Sequence, residues 1–198
     1  MIGDAIHRLR TRCGMPVDSS QRGPVLLNRF FEEQNLEHVA LEQLSVGNVM
    51  RYLWQQGINV AEPAEPGERL AGLMFYAGRV GWAFVNADDI LARRRFTAAH
   101  ELGHAVLHPN RMELFTIDTE QTLREADGTG DAMEREANRF AAELLMPEEV
   151  CRERADELRR EYRTCPRVVL AYRLASELLV SAEAMRYRLK SLEIGDDH

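Results

Sequence analysis

An α+β fold is predicted for this 198-residue chain, mostly helical with one small antiparallel hairpin sheet and a helical C-terminal region. Three features predict it. Apolar residues recur every three or four positions through most of the sequence, the helical period. One pair of short apolar runs, Leu73-Met74-Phe75-Tyr76 and Val80-Gly81-Trp82-Ala83-Phe84-Val85, flanks Ala77-Gly78-Arg79, the pattern of a hairpin with a glycine turn. The clearest break before the hairpin is a short Pro/Gly linker, residues 61–68.

The segment up to about Gln56 reads as helical. Val25, Leu26, Phe30 and Phe31 suggest one helix; Leu41, Leu44, Val49, Leu53 and Trp54 suggest a second, ended by Gly57. Beyond the hairpin, Asn86 closes the second strand. The edge of that hairpin either receives an extended peptide by strand addition or is plain scaffold.

His100-Glu101-Leu102-Gly103-His104 follows, on a helix with Thr97 as its expected N-cap and Pro109 as its end. Histidines four apart on a helix share one face, one turn above the other, so their ring nitrogens converge on a single Zn²⁺. Glu101, offset around the helix from His100, is placed as the general base toward the attacking water. Leu102, Ala105, Val106 and Leu107 cover the other faces, so the histidines sit on a largely buried element. Metal-free and unpartnered, such a pair would be costly to desolvate.

A catalytic zinc takes three protein ligands and keeps one position open. His108 continues the histidine series but lies about 12 Å along the axis from His100, too far to share the ion. It is a second-shell residue, a substrate-facing one, or the polar end of the helix. The metzincin spacing fails, because Leu107 and Asn110 stand where that pattern needs glycine and histidine. The third ligand is therefore a downstream acid. Residues 131–146 form the next helix, with Met133, Ala137, Phe140, Ala141 and Leu144 as its stripe. Glu134 falls three residues after Asp131, where it closes a capping box. Glu136 has no such local partner and flanks the stripe, so it is the expected ligand.

The run ARRRFTAAHELGHAVLH followed by EREANRFAAELLMP resembles the signature of the ImmA/IrrE metallopeptidase family, with a weaker likeness from about residue 40 to the C-terminus. The resemblance implies a HExxH, gluzincin-like zinc-peptidase core, one Zn²⁺ per chain, His100, His104 and Glu136 as ligands, and Glu101 as catalytic base. It further implies site-specific cleavage of a cognate helix-turn-helix repressor, in a stress, DNA-damage, antiviral or mobile-element response. Single-stranded DNA is a candidate activator. Peptide hydrolysis also needs a second oxyanion donor, for which His108, Tyr76 and Arg111 are the candidates.

Residues 1–148 are the expected peptidase domain and 149–198 a helix-turn-helix-like region. In the latter, helices over roughly 150–162 and 167–179 precede a last one capped by Ser181. Arg186, Arg188 and Lys190 on that helix either read DNA or decorate a packing element. Charge divides the same way: residues 1–150 carry a net −8 and residues 151–190 a net +4. An acidic body and a basic tail suit a basic substrate or a nucleic acid on different surfaces, or are solvated salt-bridged faces. The alternative to an enzyme is therefore a zinc-stabilised regulator binding DNA or a protein through its basic helices.

Cys13, Cys151 and Cys165 form no CxxC pair and suit a reducing cytoplasm. Cys13 is a possible thiol switch over the open zinc position; the bland reading is three ordinary cysteines. No signal peptide or membrane span is legible, so a cytoplasmic location is expected. The 109–130 connection is a lid or a plain connector.

Overall fold

The computed structural model describes residues 1–15, 21–60, 67–109, 115–118, 132–162 and 165–195; side chains are described except at 115–118. Among the described residues, eight helices and four strands follow one another in this order. They are α1 (Ile2–Arg12), α2 (Asn28–Glu33), β1 (Leu36–Leu41), α3 (Val46–Gln55), β2 (Gly72–Ala77), β3 (Val80–Asn86) and α4 (Leu91–Leu107), and then β4 (Phe115–Asp118), α5 (Ala132–Leu145), α6 (Glu148–Glu161), α7 (Arg167–Leu178) and α8 (Ala182–Ser191). The fold is α+β. Its sheet exceeds the expected hairpin: the strand order is β1-β3-β2-β4, with β1 parallel to β3 and the other pairs antiparallel.

β1 is the element that sequence reading placed among helices. Its polar Glu37 and His38 hide the alternation of LEHVAL, because one long edge of the strand stays unpaired. The hairpin turns through a two-residue loop, Ala77 pairing with Val80, with Gly78 at φ +66°. Both hairpin strands are flanked by another strand, so the free sheet edges belong to β1 and β4. Among the described residues, β1 pairs along β3 from Gly81 to Asn86 and β4 along β2 from Gly72 to Phe75.

Alternation along β2 and β3 divides the core. Leu73, Phe75, Trp82 and Phe84 pack with Leu44, Val49 and Leu53 around α3. Met74, Ala83 and Val85 face the other way, into a larger cluster. That cluster includes Ala98, Ala99 and Leu102 of α4, Phe140, Ala141 and Leu144 of α5, and Leu170, Leu174, Met185 and Leu189 of the C-terminal helices. α4 is thus enclosed by the sheet on one side and α5 on another. Every residue from Thr97 to Ala105 is buried.

Helix boundaries follow local chemistry with one correction. Thr97 is not the N-cap of α4; it is buried in the helix interior, and the helix starts two turns earlier. Ile90 carbonyl accepts from the N–H of Arg93 and Arg94, and the intervening Ala92-Arg93-Arg94-Arg95 run consists of good helix formers. α4 ends at Leu107, with His108 at its C-cap and Pro109 following. Ser181 caps α8 as expected, its hydroxyl accepting from Ala184 N–H at 3.0 Å. Pro147 and Pro166 occupy the N-cap positions of α6 and α7. Of the three basic residues singled out on α8, Arg186 and Lys190 are exposed, whereas Arg188 donates to the Met146 carbonyl at 3.0 Å. No helix among the described residues is long and apolar enough to cross a membrane.

Candidate metal centre

His100 and His104 project from one face of α4, as a four-residue helical step requires. Their rings lie 4.6 Å apart between centroids, and the two Nε2 atoms are 2.9 Å apart. Glu134, from the first turn of α5, closes the third side. Its Oε1 is 3.2 Å from His104 Nε2 and its Oε2 3.3 Å from His100 Nε2. These are the three side chains among the described residues whose donor atoms cluster tightly enough to hold a metal ion.

The donor set fits a divalent cation. Ligands at about 2.0–2.2 Å from a tetrahedral zinc are separated by about 3.3–3.5 Å; the two histidine-to-carboxylate distances match this, and the 2.9 Å between the histidine nitrogens is shorter. His100 is fully buried and its Nδ1 donates to Asn138 Oδ1 at 2.9 Å. That bond fixes the tautomer, leaving the Nε2 lone pair toward Glu134 and His104. Two such lone pairs 2.9 Å apart in a buried site repel unless a proton or a cation lies between them. Burial by itself would raise the Glu134 carboxyl. With the histidine Nε2 atoms protonated instead, hydrogen bonds and charge from His100 and His104 reverse this and hold it well below the usual carboxylate range.

The structure brings Glu134, not Glu136, to the imidazole pair. Glu134, Ala137, Asn138 and Ala141 share the face of α5 that packs on α4, at spacings of three, four and seven. Glu136 is rotated about 200° from Glu134. Its side chain is 54% exposed and its Oε2 lies 3.6 Å from His108 Nε2. The sequence pattern had instead assigned Glu134 to a cap with Asp131, a residue outside those described. Close packing of the two helices depends on Gly103: a Cβ there would sit 3.2 Å from Ala137 Cα and 3.1 Å from the Phe140 ring. Ala137 stands between Glu134 and Asn138 in register, so this contact positions both.

Glu101 is fully buried on the face of α4 turned toward the sheet. Its carboxyl occupies the space a side chain would take at Gly72 of β2, where a Cβ would collide with Oε1 and with Thr97 Cγ2. Tyr76, farther along the same face of β2, lies with its ring across Gly81 of β3. Its buried hydroxyl has no hydrogen-bond partner among the described residues. Burial, then the Glu101 charge, pushes the phenol well above its ordinary pKa, so it is a neutral donor. His108 stands at the end of α4, its ring 5.8 Å from that of His104. Arg111 lies outside the described residues.

Cys13 is not in the donor cluster. It caps the C-terminus of α1 with Sγ 3.5 Å from the Arg29 carbonyl, and burial followed by Glu33 raises its pKa, opposite to what a reactive thiolate needs. Asn138, Gly103 and Gly72 were missed by sequence reading. For Asn138 a signal existed: an amide one turn beyond Glu134, on the helix face shared with Ala137 and Ala141.

Two helices presenting His, His and Glu around one point, with a buried Glu beside the first His, have the arrangement with which HExxH peptidases hold a metal ion. The IrrE N-terminal-like domain family, Peptidase_M78, matches residues 56–190, a span that includes every one of these side chains. The chain belongs to this peptidase family. It is also similar to a protein of Bacillus phage phi105 described as uncharacterized immunity region protein 2, at 40% identity over 79 residues. That match covers 40% of this chain and 46% of the phage protein, so the chain spans less than half of its relative's length.

Proposed function

We propose that this chain is a zinc-dependent endopeptidase that cleaves a cognate helix-turn-helix repressor at one site. The observation that carries the reading is the convergence of three side chains: the His100 and His104 Nε2 atoms lie 2.9 Å apart, and each faces one oxygen of the Glu134 carboxylate, Oε2 at 3.3 Å from His100 and Oε1 at 3.2 Å from His104. In this reading His100, His104 and Glu134 hold the ion, Glu134 replacing Glu136 as third ligand. Bound there, Zn²⁺ supplies Lewis acidity, polarising a carbonyl and acidifying water.

The remaining roles fall to the chain's own residues. Asn138 keeps His100 in the tautomer with Nε2 free. Glu101 takes the proton of the attacking water on a carboxylate oxygen and passes it to the leaving amine nitrogen. Its burial against Gly72 restricts the carboxyl to that position. Tyr76, neutral and with a free hydroxyl hydrogen, is the preferred second donor to the developing oxyanion, ahead of His108, which faces Glu136. Residues 1–148 form the peptidase portion and 149–198 a helix-turn-helix-like appendage.

Cleavage of a repressor draws support from the family and from the phage relative, which is described as an immunity-region protein. The test incubates the purified, metal-loaded chain with the helix-turn-helix protein encoded nearest to it, with and without single-stranded oligonucleotide. A single cut that disappears in Glu101→Gln, while bound metal stays unchanged, is expected. An E101Q protein that cuts at the native rate would remove Glu101 from the mechanism.

A second reading, a zinc-stabilised regulator without catalysis, is favoured by the exposure of Arg186 and Lys190 on α8. It predicts DNA or partner binding that survives E101Q and no cut in any neighbour-encoded protein.

A further inference from the structure

Away from the metal centre, a cavity of about 430 Å³ opens between α2, β1 and the first turns of α4. Its polar lining comprises Asn28, Arg29, His38, Arg94 and Arg95, with no carboxylate. Such a lining is unexpected where residues 1–150 carry a net charge of −8. The remaining walls are apolar, and Leu26 and Leu91 at its rim are 63% and 48% exposed.

Two of the three guanidinium groups, those of Arg94 and Arg95, are half-buried, and Arg29 is exposed at the mouth. Arg94 and Arg29 make no ion pair or side-chain hydrogen bond among the described residues, and the Nε of Arg94 is buried without a partner. Arg95 spends one N–H on the Val25 carbonyl at 3.0 Å, its Nε is likewise buried and unpartnered, and burial lowers its pKa. Half-buried guanidinium groups with no carboxylate beside them, as at Arg94 and Arg95, suit an anion that accepts several N–H bonds together. His38 adds a further polar edge. Its ring stacks on Phe31 at 4.9 Å.

We propose that this cavity binds a small phosphomonoester. The phosphoryl oxygens accept from Arg29, Arg94 and Arg95, and the organic body lies against Leu26 and Leu91. The volume falls within the range of about 300–1,000 Å³ typical of small-ligand pockets. Planar forked guanidinium groups suit a phosphoryl group by paired N–H bonds. The site lies on the same helix as His100 and Glu101 but shares no residue with the metal centre.

Calorimetric titration of the metal-loaded full chain with inorganic phosphate and with 5′-AMP, at constant ionic strength set by chloride, tests this. Saturable binding is expected for both at millimolar concentrations or below. Binding of 5′-AMP at least tenfold tighter identifies an organic phosphomonoester as the occupant; equal binding identifies free phosphate. Arg94→Gln should weaken binding at least tenfold and Arg29→Gln severalfold, with metal content unchanged in both. Arg29 is exposed, so its variant decides the matter if R94Q does not fold. Absence of saturable binding overturns the proposal. So does binding unaffected by either change, which would place the anion at the metal centre. Displacement of 5′-AMP by an oligothymidylate without terminal phosphates would overturn the small-ligand assignment in favour of a nucleic-acid backbone.

Discussion

Exchanging Glu134 and Glu136 for glutamine, one at a time, separates the two candidate ligands with a perturbation that changes one atom. In Glu134→Gln, an amide nitrogen replaces one of the oxygens lying 3.2 and 3.3 Å from the histidine nitrogens, and the negative charge is lost. Loss of an outer hydrogen-bond partner alone lowers metal affinity about 10–100-fold. Loss of a direct anionic ligand should reach the upper end or exceed it, so a drop of at least about 100-fold, about 2.7 kcal/mol, is expected. Glu136→Gln touches a side chain that is 54% exposed and 3.6 Å from His108. Exposed ion pairs contribute about 0–1 kcal/mol, and none of that contribution falls on the metal donors. Zinc affinity measured by competition with a chromophoric chelator should therefore fall steeply in the first variant and stay within about twofold in the second. The reverse order would refute the assignment of Glu134. Equal losses would show that the packing of α5, rather than either carboxylate, governs the site.

Three further outcomes follow from the same geometry. Asn138→Ala removes the acceptor of His100 Nδ1; zinc affinity should fall about 10–100-fold in the same competition assay while the urea midpoint of the chelated protein changes far less. Gly103→Ala gains about 1 kcal/mol of helix propensity but forces α5 outward by a few tenths of an ångström. Near-native thermal stability with clearly weakened metal binding is expected, and unchanged binding would show that the Gly103–Ala137 approach does not set the site. Cys151 is fully buried, and burial pushes its thiol up to about 11. The unfolded thiol ionises first as pH rises past its ordinary value near 9, so the native state then binds more protons and stability falls. Between pH 9 and 11 denaturant titrations should show the chain losing about 2–3 kcal/mol more than Cys151→Ala does. Parallel curves for the two proteins would contradict a buried neutral thiol.

Much of this architecture was legible as pattern. The HELGH helix, the hairpin, the α5 stripe and the Ser181 cap rest on spacing within one element, and spacing is a local property of the chain. β1 was not legible, because an edge strand exposing Glu37 and His38 lacks a strong period-two signal. The start of α4 was misplaced for a related reason: Thr97 has the chemistry of an N-cap but sits inside a helix that its neighbours already favour. Choosing between Glu134 and Glu136 required knowing which face of α5 meets α4. Both flank the same apolar stripe, so periodicity ranks them equally, and the capping box with Asp131 favoured Glu136, whereas Glu134 is the one that faces the imidazole pair.

The sequence by itself determined that two imidazoles would share a helix face with a carboxylate beside them, since a four-residue step and a one-residue step fix those directions wherever the helix lies. The tertiary structure alone decided which distant acid completes the set, which amide orients His100, and that three arginines far from that set converge on one cavity. Those relations depend on how separate elements cross. The contact at Gly103, where two backbones approach because no side chain intervenes, sets that crossing for α4 and α5.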